Sequence, residues 1–210
     1  MQLYDNLIKN GNYLFKYRGQ LPIIIFIISI PIIFHTSYYC LFNSQWQIII
    51  QLIAIIISLS GLLCRYYITG STPNQTSGRN RDYQIADQLN TTGAYSIVRN
   101  PLYLANYLIW IGISIYSFSY ILCIIITLLF VLHYERIILA EEQFLLQKFN
   151  HEYKTFCNHT HVYLPLFKNY KKSKYRFSIK KILRQEYSST LSTITSFIWS
   201  FFNLTRKSSV

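Results

Sequence analysis

The run Asn100–Tyr134, NPLYLANYLIWIGISIYSFSYILCIIITLLFVLHY, holds 35 consecutive residues without an Asp, Glu, Lys or Arg. It is too long for one ordinary membrane span, each of which takes about 20 apolar residues to cross about 30 Å of hydrocarbon. Ser117-Phe118-Ser119 falls near its middle, so the run reads as a helical hairpin of two arms of about 17 residues, each about 25 Å long. A second charge-free block, Gly19–Cys64, precedes it. Charged residues make up only 13% of the 210-residue chain against 51% hydrophobic ones, whereas soluble domains carry roughly 25% charged residues. The chain reads as an integral membrane protein.

Working outward, Leu21–Leu41 and Trp46–Cys64 divide the first block into two spans around a turn at Asn43-Ser44-Gln45. Pro31 is placed to kink the first, and Arg65 to end the second. The first is too long for a signal peptide and lacks a small-residue cleavage site, so it reads as a retained anchor. Met1–Gln20 is an amphipathic lead carrying Lys9, Lys16 and Arg18. The polar loop Arg65–Arg99 follows the second span, with Gln84–Leu89 expected as a short helix and Asn90-Thr91-Thr92-Gly93 as a turn. Beyond Glu135 the second hairpin arm is expected to continue into water, since Leu139, Leu145, Leu146 and Phe149 recur at helical spacing. A basic run, Lys168–Arg184, suits anionic head groups. Leu191–Leu204 is apolar but short, and is either an interfacial helix or a fifth span.

Nearly all charge lies on the lead, the loop and the stretch after Glu135, and none on the two turns. The expected architecture is therefore all-α: a bundle of four spans with a helical cytosolic cap and a short fifth C-terminal helix. Both ends and the polar loop then face the cytoplasm. Residues 1–64 are expected to form a two-span anchor, 65–167 a core of polar loop, helical hairpin and cap, and 168–210 a basic C-terminal region. The same placement explains the net charge of +12 without nucleic acid, for which no binding motif is present. Cys40, Cys64, Cys123 and Cys157 show no paired spacing, which argues against a disulfide framework. His151, Cys157, His159 and His161 cluster in sequence but match no zinc pattern, so no metal is assigned.

Two polar elements bracket the hairpin. Asn100-Pro101 suits a helix start, Asn as N-cap and Pro at the first position, and the free N–H groups there favour an anion. Arg99 has a plain alternative as an interface anchor, Glu141-Glu142 as a solvated helix face, and Arg136 as a second anchor. Against the plain readings, a carboxylate pair at the foot of a span could take a cationic or hydroxyl-bearing ligand. Nucleotide and nucleophile signatures are lacking: there is no Gly-rich strand-to-helix fingerprint, P-loop or Gly-x-Ser-x-Gly elbow.

In order along the chain stand Gly93-Ala94-Tyr95, Arg99-Asn100-Pro101-Leu102-Tyr103, Glu141-Glu142, Phe149-Asn150-His151-Glu152-Tyr153 and Pro165. This series resembles the isoprenylcysteine carboxyl methyltransferase and phospholipid methyltransferase superfamily of membrane enzymes that use S-adenosylmethionine. The resemblance covers about 80–165. It implies cofactor contacts from Asn80, Asp87, Gln88, Leu89, Asn90, Tyr95, Asn100, Pro101, Leu102, Tyr103 and Glu141. It further implies a catalytic role for Arg99 and Glu142, a substrate-side role for Arg136, and a lipid or lipid-modified acceptor at the membrane face. Asn100 stands where the family has His. Asn150 stands where it has Gly, which suggests a left-handed backbone position. Two other classes stay open: an NADPH-dependent membrane reductase, for which Arg79 and Arg81 could serve the extra phosphate, and a non-enzymatic membrane protein.

Overall fold

A computed structural model describes residues 2–35, 44–73 and 84–208. Among these residues there are six α-helices and no strand: α1 Gln2–Tyr17, α2 Leu21–His35, α3 Ser44–Ser71, α4 Pro101–Tyr116, α5 Tyr120–His159 and α6 Ile179–Ser208. Tyr38, Tyr39 and the first half of the expected turn before Ser44 lie outside the described residues, as do Arg79 and Arg81.

The hairpin forms where it was expected. Ser117, Phe118 at a positive φ of 53° and Ser119 separate α4 from α5, and Ser119 caps α5 by accepting from the Leu122 N–H at 3.3 Å. α5 then runs 40 residues, past the apolar stretch and into the cap, with its helical path broken at Asn150. There φ is 38° and ψ −102°: the φ is positive, as expected, but the ψ lies outside the left-handed helical region.

By length and composition, the described helices do not confirm four spans. α3 and α5 are long and apolar enough to cross a membrane; α1 and α2 qualify only as one bent pair, and α4 is shorter. Among the described residues the count is two, or three with the bent pair. α1 and α2 meet at 83° across the turn at 18–20, so the two do not form one straight span. That geometry suits an amphipathic helix that buries Ile8, Gly11 and Phe15 against α5. The helical backbone of α2 continues through Pro31.

Arg65 does not end the second span, because α3 continues to Ser71. Its charge is met by Glu186 of α6, Nε to Oε2 at 2.8 Å. A partner 121 residues away makes an arginine inside an apolar helix tolerable. α3 and α4 cross closely along small residues. A Cβ on Gly61 would stand 2.7 Å from the Ala105 carbonyl, and one on Gly112 would stand 2.7 Å from the Ala54 carbonyl. Such seams let helices associate in lipid by backbone proximity.

α6 begins at Ile179, well before the expected apolar stretch, and packs on α2, α3 and α4. Its amphipathicity is inverted. Glu186, Thr193, Ser196, Ser200 and Asn203 are buried, while Leu191, Ile194, Ile198 and Phe201 are exposed. Exposed leucines and isoleucines on α3 and α5 continue the same apolar girdle, including Leu52, Ile56, Ile124 and Leu128. An apolar exterior over a polar seam is what a bilayer, rather than water, stabilises.

Candidate active site

Where the start of α4 and the middle of α5 meet α1, a cleft of about 140 Å³ opens. The hairpin brings the two motif blocks together. Tyr103 lies in the first turn of α4 and donates its hydroxyl to Glu141 Oε1 at 2.9 Å. Arg99, just before α4, places Nη1 2.9 Å from Glu142 Oε1. The plain readings of Arg99 as a snorkelling anchor and of Glu141-Glu142 as a solvated face therefore do not describe this arrangement. Arg99 is 16% exposed and Glu142 27%.

Loop 97–99 is held by backbone bonds from the cap: Arg99 N–H donates to the His161 carbonyl and Leu166 N–H to that of Ile97, both at 2.9 Å. Asn100 occupies the N-cap position of α4, with Pro101 following, but its side chain makes no cap bond. It donates instead to the Val162 carbonyl at 3.4 Å, so the helix start stays open toward the cleft. Upstream, Gly93 adopts φ 64° and pairs through its N–H with the Lys171 carbonyl at 2.8 Å. The single 3₁₀ turn Ala94–Ser96 that follows directs Tyr95 into the lining. Burial, then the charge of Glu141, push the Tyr95 phenol well above its ordinary pKa, only partly offset by Arg18. Tyr95 is therefore a neutral hydrogen-bond donor.

Of the residues singled out in the sequence, Gln88, Leu89, Asn90, Tyr95, Arg99, Asn100, Pro101, Leu102, Tyr103, Glu141 and Glu142 line this cleft. Asp87 is exposed and outside the lining, and Asn80 lies outside the described residues. The expected helix over 84–89 is absent; these residues form an extended, bent segment along the cleft. Arg136 is also outside the lining. Its backbone carbonyl underlies Gly11 so closely that a Cβ there would stand 2.1 Å away. The described part of Arg136 thus serves the α1–α5 contact.

Sequence reasoning missed the contribution of α1 and of the cap. Phe15 and Arg18 form one wall, and Phe144, Leu145, Tyr153 and Phe156 another. Arg18 stacks its guanidinium 3.5 Å above the Phe15 ring and reaches to 3.9 Å from Glu141. The clue was a lone arginine ending an amphipathic lead, opposite a chain with few carboxylates. His151, Cys157, His159 and His161 have other partners: Cys157 Sγ accepts from Arg99 Nη1 at 3.1 Å, and the carbonyl of His159 accepts from Asn169 at 2.6 Å. Among the described residues no three His, Cys, Asp or Glu side chains are grouped to hold a metal ion.

A helical hairpin whose entry and exit carry Arg-Asn-Pro-x-Tyr and Glu-Glu around one cleft defines a class of membrane protein. Residues 49–152 match the family model described as phospholipid methyltransferase, and over this stretch the chain belongs to that family, part of the isoprenylcysteine carboxyl methyltransferase-like superfamily of membrane methyltransferases. The chain is also similar to the nickel-cobalt-cadmium resistance protein NccN of Alcaligenes xylosoxydans xylosoxydans, 30% identical over 104 residues. That match takes in 50% of this chain and 42% of the relative, so the chain spans less than half the length of that protein. No solved structure matches.

Proposed function

We propose that the chain is a membrane methyltransferase that uses S-adenosylmethionine and acts on a lipidic or lipid-anchored acceptor at the cytoplasmic face. The observation carrying this reading is the convergence of Tyr95, Asn100, Tyr103 and Glu141 on one cleft, although they come from a loop, a helix start and the far arm of a hairpin. The family of residues 49–152 supports the same class of reaction.

The residues present fit such a cofactor. Arg99 Nε and Gln84 Oε1 are buried at the cleft with no hydrogen-bond partner among the described residues. An unmet donor and an unmet acceptor suit a ligand that is itself both. Glu141, braced by Tyr103, would take hydroxyl or ammonium groups; the open start of α4 and Arg99 would take a carboxylate. Phe15, Leu89, Phe144 and Phe156 give an apolar wall for a flat ring. When bound, S-adenosylmethionine supplies a methyl group already activated by its sulfonium. The protein then needs chiefly to orient the acceptor and exclude water. Arg99 and Glu142 fix one another, which holds two charges at defined positions beside the acceptor's approach. A carboxylate or phosphate acceptor requires no general base.

Purified membranes given methyl-labelled S-adenosylmethionine test the reading. Label should enter the lipid or the lipid-modified protein fraction and disappear in Glu141→Gln. Label in neither fraction, from folded protein in native membranes, overturns it. Binding of NADPH in preference to S-adenosylhomocysteine would favour a reductase instead.

A further inference from the structure

A chain of buried polar contacts runs from α6 to the cleft. Glu186 accepts from Thr69 at 2.7 Å and from Arg65 at 2.8 Å. The same guanidinium donates through Nη1 to Asn106 Oδ1. Asn106 in turn donates through Nδ2 to the Tyr134 hydroxyl at 3.1 Å. The Tyr134 ring packs on that of Tyr103, centroids 4.5 Å apart, and the Tyr103 hydroxyl meets Glu141. Glu186 is 5% exposed and Arg65 14%, Tyr134 and Tyr103 are both buried, and Asn106 between them is half-buried.

A buried ion pair is a poor source of stability, because desolvation offsets most of its attraction. An arginine kept within an apolar helix therefore calls for a role besides holding helices together. Its fork has two outlets, one to Glu186 and one to Asn106, and the second leads to the aromatic pair beneath the cleft. Asn106 sits one turn along α4 from Tyr103, and Tyr134 two turns before Glu141 on α5. The polar chain thus sets the register of both arms of the hairpin directly beneath the Tyr103–Glu141 bond.

We propose that Arg65 and Glu186 are positioning residues for the cleft. They hold Asn106, Asn106 holds the Tyr134 hydroxyl, and the Tyr134 ring fixes the Tyr103 ring so that its hydroxyl meets Glu141. α6 thereby takes part in ligand binding without touching the ligand. The inference rests on the assignment of Tyr103 and Glu141 to the cofactor site, so its test includes a readout that needs no cofactor.

Fluorotyrosine incorporated at position 103 alone reports the ring by fluorine NMR in the purified full-length protein. The resonance should shift or broaden in Arg65→Lys, Glu186→Gln and Asn106→Leu, each judged folded by circular dichroism. Lysine at 65 keeps the charge but loses the fork that reaches two partners at once. A resonance unchanged in the folded variants overturns the proposal. In the second readout, S-adenosylhomocysteine should bind each variant about fivefold more weakly, in the range of ordinary site-to-site coupling. Adding Tyr103→Phe should then produce little further loss. If the losses multiply independently, the coupling is wrong. If the unaltered protein fails to bind S-adenosylhomocysteine, the cofactor reading fails, and the fluorine signal still decides the coupling.

Discussion

Arg99 and Glu142 stand 2.9 Å apart although one precedes α4 and the other lies well along α5. Arg99 also donates to Cys157, so a single guanidinium ties the hairpin entry to α5 on both sides of its break at Asn150. Replacing Glu142 with Gln removes the counter-charge while leaving the arginine sheltered. Hydrogen bonds to charged groups contribute about 1.5–3 kcal/mol, so S-adenosylhomocysteine affinity should fall about tenfold or more by that measure. Isothermal titration on Glu142→Gln and Arg99→Lys checks this; affinity equal to that of the unaltered protein in both would exclude a role for the pair.

Tyr103→Phe deletes one hydroxyl and keeps the ring packed on Tyr134. The fold should survive, with an unfolding midpoint within a few degrees of the parent. Methyl transfer should drop about tenfold, the equivalent of about 1.4 kcal/mol. A variant with full activity would show that Glu141 needs no brace.

Gly11→Ala tests the contribution of α1. A Cβ there meets the Arg136 carbonyl at 2.1 Å and Ala140 at 2.9 Å, so α1 must move off α5. Overpacking of this kind costs about 1–3 kcal/mol. Because Phe15 follows on the same helix and Arg18 on the turn just after it, cofactor affinity should fall along with thermal stability. Stability lost with affinity intact would place the ligand away from α1.

The raised pKa of Tyr95 carries a sign. Burial and Glu141 favour the neutral phenol in the folded state, so the folded protein keeps a proton that the unfolded chain releases near pH 10. Stability from this residue is complete below that pH and is lost as pH rises toward the folded value. Denaturant midpoints measured from pH 9 to 11 should fall less steeply in Tyr95→Phe than in the parent.

Much of this was legible in the residues themselves. Charge-free runs marked the apolar helices, and two serines flanking Phe118 marked the turn that brings Tyr103 to Glu141. Asn150 was readable as a positive-φ position only through the resemblance, because it stands where the family has Gly. What escaped was nearly all long-range. Arg65 looked like the end of a span, since nothing local shows that Glu186 will meet it. Asn100 has the local chemistry of a cap, yet a carbonyl supplied by Val162 captured its side chain. Arg18 looked like one more interface cation until the turn after α1 carried it to Glu141. α6 was half hidden because its serines and threonines lower its hydropathy, although they face the bundle and not the lipid.

The bridge between Gly93 and Lys171 bears on when the protein becomes competent as it is made. Every side chain lining the cleft has been synthesised once Phe156 is added, but the loop that carries Tyr95 is anchored by a carbonyl fifteen residues later. Ser96 likewise waits for the Lys171 N–H, and the end of α3 waits for Ser173 and Lys181. A nascent chain halted just past the cap would own every side chain that lines the cleft and still lack the clasp that orders them. The contacts that order the cleft's loop are therefore completed only once the segment after the cap has been added.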